Sequence, residues 1–344
     1  MSDASRADSP VVVSDATGVA RRSLLKGTAG ILAAGMFPAV HSQEKIVLRY
    51  LGTAVNQDKA IADKFKADTG IEFRDFEIQA EAQMEQAIRN FATRGFSPII
   101  VPTFHYKDQV TKVAGEFPDL QFMIIDNVVK LPNVRSATFR EHEGSYLVGV
   151  LAGMASKTKT VGFVGGMDIP LIRKFECGFV QGAMAGGATK AIRNMTGTTG
   201  AAFNDPVKGG EIASVQIGQG ADVIYAAAGG TGIGVLQAVT DAGKLAVGVD
   251  SNQNYMHPGN MLTSMVKRVD VAVYKAFDDA KKGQWTAGVQ AMGIEDGGIG
   301  WALDEYNEKL ITPEMKAAVE EAQRKIVSGE LKVHDYTTTG SCPL

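Results

Sequence analysis

From residue 45 onward, short apolar runs of strand length alternate with segments whose apolar residues recur at helical spacing. Residues 46–51, 71–76, 99–101 and 122–125 read as strands, the last ending on Asp126. Helical patterns occupy 57–68, 81–93 and 107–114. This βαβα rhythm predicts a parallel sheet with helices on both faces. An apolar helix near 146–154 leads into a second series, with strands at 161–164, 191–195, 223–227 and 245–249. Its helices fall at 172–184, 207–217 and 233–242. Two series with no long linker between them predict two similar lobes; one large doubly wound sheet is the alternative. Farther on, Thr312-Pro313 supplies an N-cap and first turn for a helix over 316–326.

The strand at 245–249 ends on Asp250, and a second apolar run from Met261 to Val266 delivers Lys267-Arg268. Ligands of open α/β sheets collect at the carboxyl ends of strands. An acid and a base released there can grip the hydroxyls and polar edge of a small neutral molecule. Gly229-Gly230-Thr231-Gly232-Ile233-Gly234 also follows a strand and opens a helix. It has neither the G-x-G-x-x-G spacing nor the G-K-[ST] of a phosphate loop. Close backbone approach to an uncharged ligand and a plain tight turn both fit it. Phe203-Asn204-Asp205-Pro206 interrupts an apolar pattern ahead of a helix, with Asn204 or Asp205 as N-cap. Phe203 in that turn either stacks on a flat ring or acts as a hydrophobic staple.

Composition narrows the class. At 344 residues the chain suits about two domains, and 35 Lys plus Arg against 38 Asp plus Glu form no basic stripe for nucleic acid. The 39 glycines lie largely at the ends of apolar runs, where strand-to-helix turns need them. Arg21-Arg22-Ser23-Leu24-Leu25-Lys26 is a twin-arginine pattern ahead of an apolar stretch from Gly27 to Val40. That stretch is shorter than the roughly 20 residues a bilayer span needs. A signal peptide over 1–42 is therefore expected, with export to the periplasm; no cysteine near the cleavage site offers a lipid anchor. Cys177 and Cys342 are expected as a buried free thiol and a loose tail thiol, although an oxidising compartment would allow them to pair. There is no G-x-S-x-G elbow and no H-E-x-x-H pair. His105 and His142 read as surface or packing residues rather than metal ligands, and no cofactor or metal is expected.

From about residue 74 to 336 the chain resembles the basic membrane protein (BMP) family of ABC-transporter substrate-binding proteins, whose best-understood members bind purine nucleosides. The resemblance rests on Glu141-His142-Glu143-Gly144-Ser145-Tyr146-Leu147-Val148-Gly149, Val161-Gly162-Phe163-Val164-Gly165-Gly166-Met167, Ala228-Gly229-Gly230-Thr231-Gly232, Gly248-Val249-Asp250 and Leu262-Thr263-Ser264-Met265-Val266-Lys267-Arg268. It implies an α/β type I periplasmic-binding fold, with two doubly wound parallel-sheet lobes joined by crossovers that close on a ligand by hinge motion. Lobe 1 would take 43–140 plus about 252–290, and lobe 2 would take 141–251 plus part of the C-terminal region. The resemblance also implies roles. Asp250 would accept hydrogen bonds from ribose hydroxyls, with Lys267 adding polar contacts at the same place. Phe203 would stack on the base, Asp126 would hold the ligand from the first lobe, and Gly229 would bring backbone close to it. Phe104, in the turn after another first-lobe strand, is a further candidate. The implied protein is a monomeric, non-enzymatic component that hands a nucleoside-like molecule to an inner-membrane ABC permease. An exported enzyme acting on nucleosides or sugars, or a ligand-sensing receptor lobe, are the alternatives. One stretch departs from the family pattern: residues 51–58 carry no aromatic where members usually have one, and 62–70 resemble the start of a type II solute-binding family.

Overall fold

The computed structural model describes residues 83–343. The signal segment, the strands at 46–51 and 71–76, the helix at 57–68 and the unusual turn at 51–58 lie outside the described residues. Within them, a first group comprises α1 (Met84–Thr93), β1 (Ile99–Val101), α2 (Lys107–Glu116), β2 (Phe122–Ile125) and β3 (Val134–Phe139). There follow α3 (Glu141–Ala155), β4 (Thr160–Met167), α4 (Pro170–Ala185), β5 (Lys190–Gly197), α5 (Pro206–Gly218) and β6 (Val223–Ala227). Next are α6 (Thr231–Asp241), β7 (Leu245–Asp250), β8 (Met261–Lys267), α7 (Val269–Lys281), β9 (Gly288–Met292) and β10 (Ile299–Trp301). The chain ends in α8 (Pro313–Val327) and α9 (Tyr336–Thr339).

Among the described residues these strands make two sheets, a four-stranded one in the order β1-β2-β3-β9 and a six-stranded one in the order β10-β8-β7-β6-β4-β5. All pairings are parallel except that of the edge strand β10 with β8. The two-residue strand period explains how each sheet is covered on both faces. Phe122 and Ile124 pack with α1 and α2, whereas Met123 and Ile125 join Phe139, Ala276 and Phe277 on the opposite face. In the larger sheet Phe163, Tyr225 and Val247 face α3 and α4, and Val164, Ile224 and Ala246 face α5 and α6.

The larger sheet gains its β8 from the segment 252–290, which the family resemblance places in lobe 1. β8 pairs in parallel with β7, from Ala246 opposite Met261 to Asp250 opposite Val266. Its apolar run meets a strand it can extend, so only α7 and β9 beyond it go to the smaller sheet. There Arg135, buried on β3, bonds Asp279 of α7 at 2.9 Å and donates to the Thr286 carbonyl before β9. Among the described residues the chain thus crosses between the sheets three times: at Arg140, at Arg268 and over residues 293–298. The crossovers are stitched together, with Arg140 N–H donating to Met292 O and Arg268 N–H to Gly298 O.

The cysteines depart from expectation. Cys177 of α4 is bonded to Cys342, closing a loop across 165 residues. The tail is held there by other bonds too, since Gln181 donates to His334 O and accepts from His334 N. Linear spacing could not reveal this, because the tail reaches α4 only after the whole second lobe has been traversed.

Candidate functional site

The site forms where the carboxyl ends of the two sheets face each other. β2 ends on Asp126, β7 on Asp250 and β8 on Lys267. Both aspartates adopt left-handed backbone, with φ of 62° and 64°, and Lys159 is the only other non-glycine among the described residues to do so. Such a conformation costs an L-residue about 1–2 kcal/mol, least for Asp and Asn. Strain of this kind concentrates where a side chain has to be aimed.

The Lys267 ammonium is the hub. It donates to Asp126 Oδ2 at 2.6 Å across the lobes, and lies 3.6 Å from Asp250 Oδ1 and 3.9 Å from Glu141 Oε1. Glu141, the first residue of α3, is wholly buried and in turn holds Lys174 of α4 at 2.6 Å. Lys174 also donates to Phe139 O, the last carbonyl of β3. Burial disfavours the charge on Lys267, but Asp126, Asp250 and Glu141 outweigh it and hold its pKa above the usual lysine range. Burial raises the carboxyl pKa of Asp250, with Lys267 opposing and Asp126 reinforcing the shift. Burial likewise raises that of Glu141, against Lys174 and Lys267. Asp126 Oδ1, Asp250 Oδ1 and Glu141 Oε1 are buried acceptors that receive no hydrogen bond. Three carboxylates against two ammoniums leave one net negative charge, which suits a ligand that donates protons and carries no anion.

Beside this polar end lies an aromatic one. β4 is the point where the strand order of the larger sheet reverses, with β5 on one side and β6 on the other. Phe203 sits at that switch point. A Cβ on Gly166, at the end of β4, would stand 2.3 Å from the Phe203 ring, and one on Gly229 would be 3.4 Å from it. The turn carrying Phe203 is fixed by Thr231 Oγ1, which donates to Ala202 O and accepts from Asp205 N, and by Thr196 Oγ1 donating to Ala202 O. Asp205 is the N-cap of α5, accepting from Lys208 N. The Phe104 ring faces Phe203 from the smaller lobe, with centroids 6.1 Å apart. Asn127 links the two ends of the site by donating to Phe104 O.

The structure brings the six sequence-predicted residues together where the sheets face each other: Asp126, Asp250 and Lys267 at the polar end, Phe104 and Phe203 at the aromatic end, and Gly229 against Phe203. Sequence reasoning passed over Glu141 and Lys174 as site residues. Glu141 opens the long motif used for the resemblance, yet a carboxylate in the first turn of a helix ordinarily reads as a solvated, dipole-favoured group. His105, read as a surface or packing residue, is exposed and stacks on Phe104 with centroids 3.9 Å apart.

Two α/β lobes joined by three crossovers, with charged and aromatic side chains at the facing strand ends, define a ligand-binding protein of the type I periplasmic class. The chain belongs to the Bmp family, described as ABC transporter substrate-binding protein PnrA-like, whose model matches residues 54–337. It is 32% identical over 259 residues to the ABC transporter nucleoside-binding protein BmpA of Lactococcus lactis, covering 70% of this chain and 72% of the relative. An uncharacterized lipoprotein of Pyrococcus furiosus is 32% identical over 317 residues, 79% of each chain. Among solved structures, an ABC-transporter solute-binding protein from Aeropyrum pernix K1 superposes with a TM-score of 0.74 at 27% identity, over 84% of this chain and 92% of that one. The family is one of extracytoplasmic substrate-binding proteins rather than enzymes. Among the described residues no helix is long and apolar enough to cross a membrane.

Proposed function

We propose that this protein captures a nucleoside between its lobes in the periplasm and delivers it to an inner-membrane ABC permease. The observation that carries the reading is the pairing of a net-negative Asp126–Lys267–Asp250 cluster with facing phenylalanines in one cleft. The buried acceptors match ribose hydroxyls, the rings match a base, and the surplus negative charge disfavours a 5′-phosphate. The nucleoside-binding relative from Lactococcus lactis supports the same ligand class. Release into the periplasm without a lipid anchor fits the engagement of both cysteines with each other.

Isothermal titration tests it, using protein from residue 43 onward that has been unfolded and refolded to strip carried-over ligand. Nucleosides should bind with submicromolar Kd, and their 5′-monophosphates far more weakly. Silence toward nucleosides from a well-folded sample would overturn the reading. In the same assay Asp250→Ala should weaken a nucleoside by about 1–3 kcal/mol, roughly tenfold to a hundredfold, because a buried hydroxyl loses its acceptor. Unchanged affinity would remove Asp250 from the site.

A further inference from the structure

A lysine head is a point charge on a flexible four-carbon stem, so its surroundings have to fix where it sits. The Lys267 ammonium has partners of two kinds. Asp126 and Asp250, at 2.6 and 3.6 Å, keep part of their side chains exposed. Glu141 Oε1, at 3.9 Å, belongs to a side chain with no exposure at all. The Phe139 and Phe175 rings complete the surroundings, with centroids 5.5 and 5.7 Å from Lys267 Nζ.

Glu141 is itself held firmly. It is the first residue of α3, and its Oε2 accepts from Lys174 Nζ at 2.6 Å. Lys174 is buried and also donates to Phe139 O at 2.9 Å, so it bonds the chain on both sides of the crossover at Arg140. Glu141 Oε1 receives no hydrogen bond and keeps Lys267 as its nearest charge. A buried ion pair is weak evidence of added stability, because apolar side chains of similar volume often hold a fold as well or better. The Glu141–Lys174 pair therefore calls for another reason, and its contact with the ammonium of the ligand site supplies one.

We propose that Glu141 is a positioning residue for ligand capture: anchored by Lys174 at the first crossover, it keeps the Lys267 ammonium between Asp126 and Asp250, where the ribose hydroxyls of a nucleoside arrive. This assignment rests on the nucleoside reading above. A side chain fixed before binding avoids the ordering cost of immobilising a rotamer-rich group in the complex, which corresponds to about threefold to tenfold in affinity.

The test titrates adenosine and 2′,3′-dideoxyadenosine into the wild type, Glu141→Gln and the double variant Glu141→Gln/Lys174→Met, with melting midpoints recorded for all three proteins. The single variant strands the Lys174 charge in the interior and should melt lower. The double variant removes both charges and should recover most of the midpoint. It should still bind adenosine about threefold to tenfold more weakly than the wild type, with a smaller loss on the analogue that lacks the 2′ and 3′ hydroxyls. A pair that only supports the fold would recover affinity together with the midpoint. Full adenosine affinity in the double variant, or equal losses on both probes, would overturn the assignment while leaving the nucleoside reading intact. Should the double variant not fold, Glu141→Gln decides by the same comparison of the two probes. A wild type that binds neither probe would bring down the nucleoside reading itself, and this assignment with it.

Discussion

At the residue scale, burial decides which charges act and which are merely accommodated. Lys267 stays an ammonium inside the protein because three carboxylates surround it. His142, the next residue after Glu141, has no such support. Burial pulls its pKa from the ordinary 6.5 down to about 4, with Asp335 at 3.8 Å resisting only in part. The imidazole is therefore neutral in the fold, while the unfolded chain takes up a proton below pH 6.5. Stability should be fullest above pH 6.5 and decline as the pH falls toward 4, by up to about 3 kcal/mol from this group. Melting curves of the wild type and His142→Gln across that range check this: the decline should be shallower in the variant. The same physics explains what could be read from the linear chain. Asp250 and Lys267 end apolar strands and so stand out, whereas Glu141 becomes a buried site carboxylate only through Lys174, which lies 33 positions away.

At the element scale, the strands and helices of the second lobe follow the hydrophobic pattern closely. β3 escaped it, because Arg135 and Ser136 break its apolar run; both are buried all the same, Arg135 by Asp279 and Thr286 and Ser136 by bonds to Val129. α7, β9 and β10 were also unassigned, since exposed positions on β9 and the brevity of β10 leave little periodicity. The glycines illustrate a second gap. Several serve a helix crossing rather than turns: a Cβ on Gly182 of α4 would stand 2.0 Å from Tyr146 O, and one on Gly149 of α3 would stand 2.3 Å from Phe179 O. Backbone on both sides cannot give way, so Gly182→Ala must push α3 and α4 apart. Overpacking commonly costs about 1–3 kcal/mol, and a backbone clash belongs at or above the top of that range. A denaturant midpoint close to that of the wild type would show that the two helices can separate without penalty.

At the scale of the whole molecule, the Cys177–Cys342 bond ties the end of the chain to α4, close to the crossovers. Closing so long a loop restricts the unfolded ensemble, and removing such a bond commonly costs about 2–5 kcal/mol. Cys177→Ser should lower the denaturant midpoint by a corresponding amount under oxidising conditions. Reductant should bring the wild type down to the variant's level while leaving the variant unmoved; equal midpoints without reductant would mean that the bond does not form in solution.

The threefold crossing has a consequence for the order in which the molecule can be built. β3 has no neighbour on its outer side until β9, and β8 lacks its edge partner until β10. Both sheets therefore wait for residues 288–301, well past the first four-fifths of the chain. As the polypeptide leaves the ribosome from its N-terminus, neither lobe can finish ahead of the other. The two reach completion almost together, late in synthesis, so a nascent chain stalled before residue 288 would expose the open edge of β3 to any strand that could pair with it.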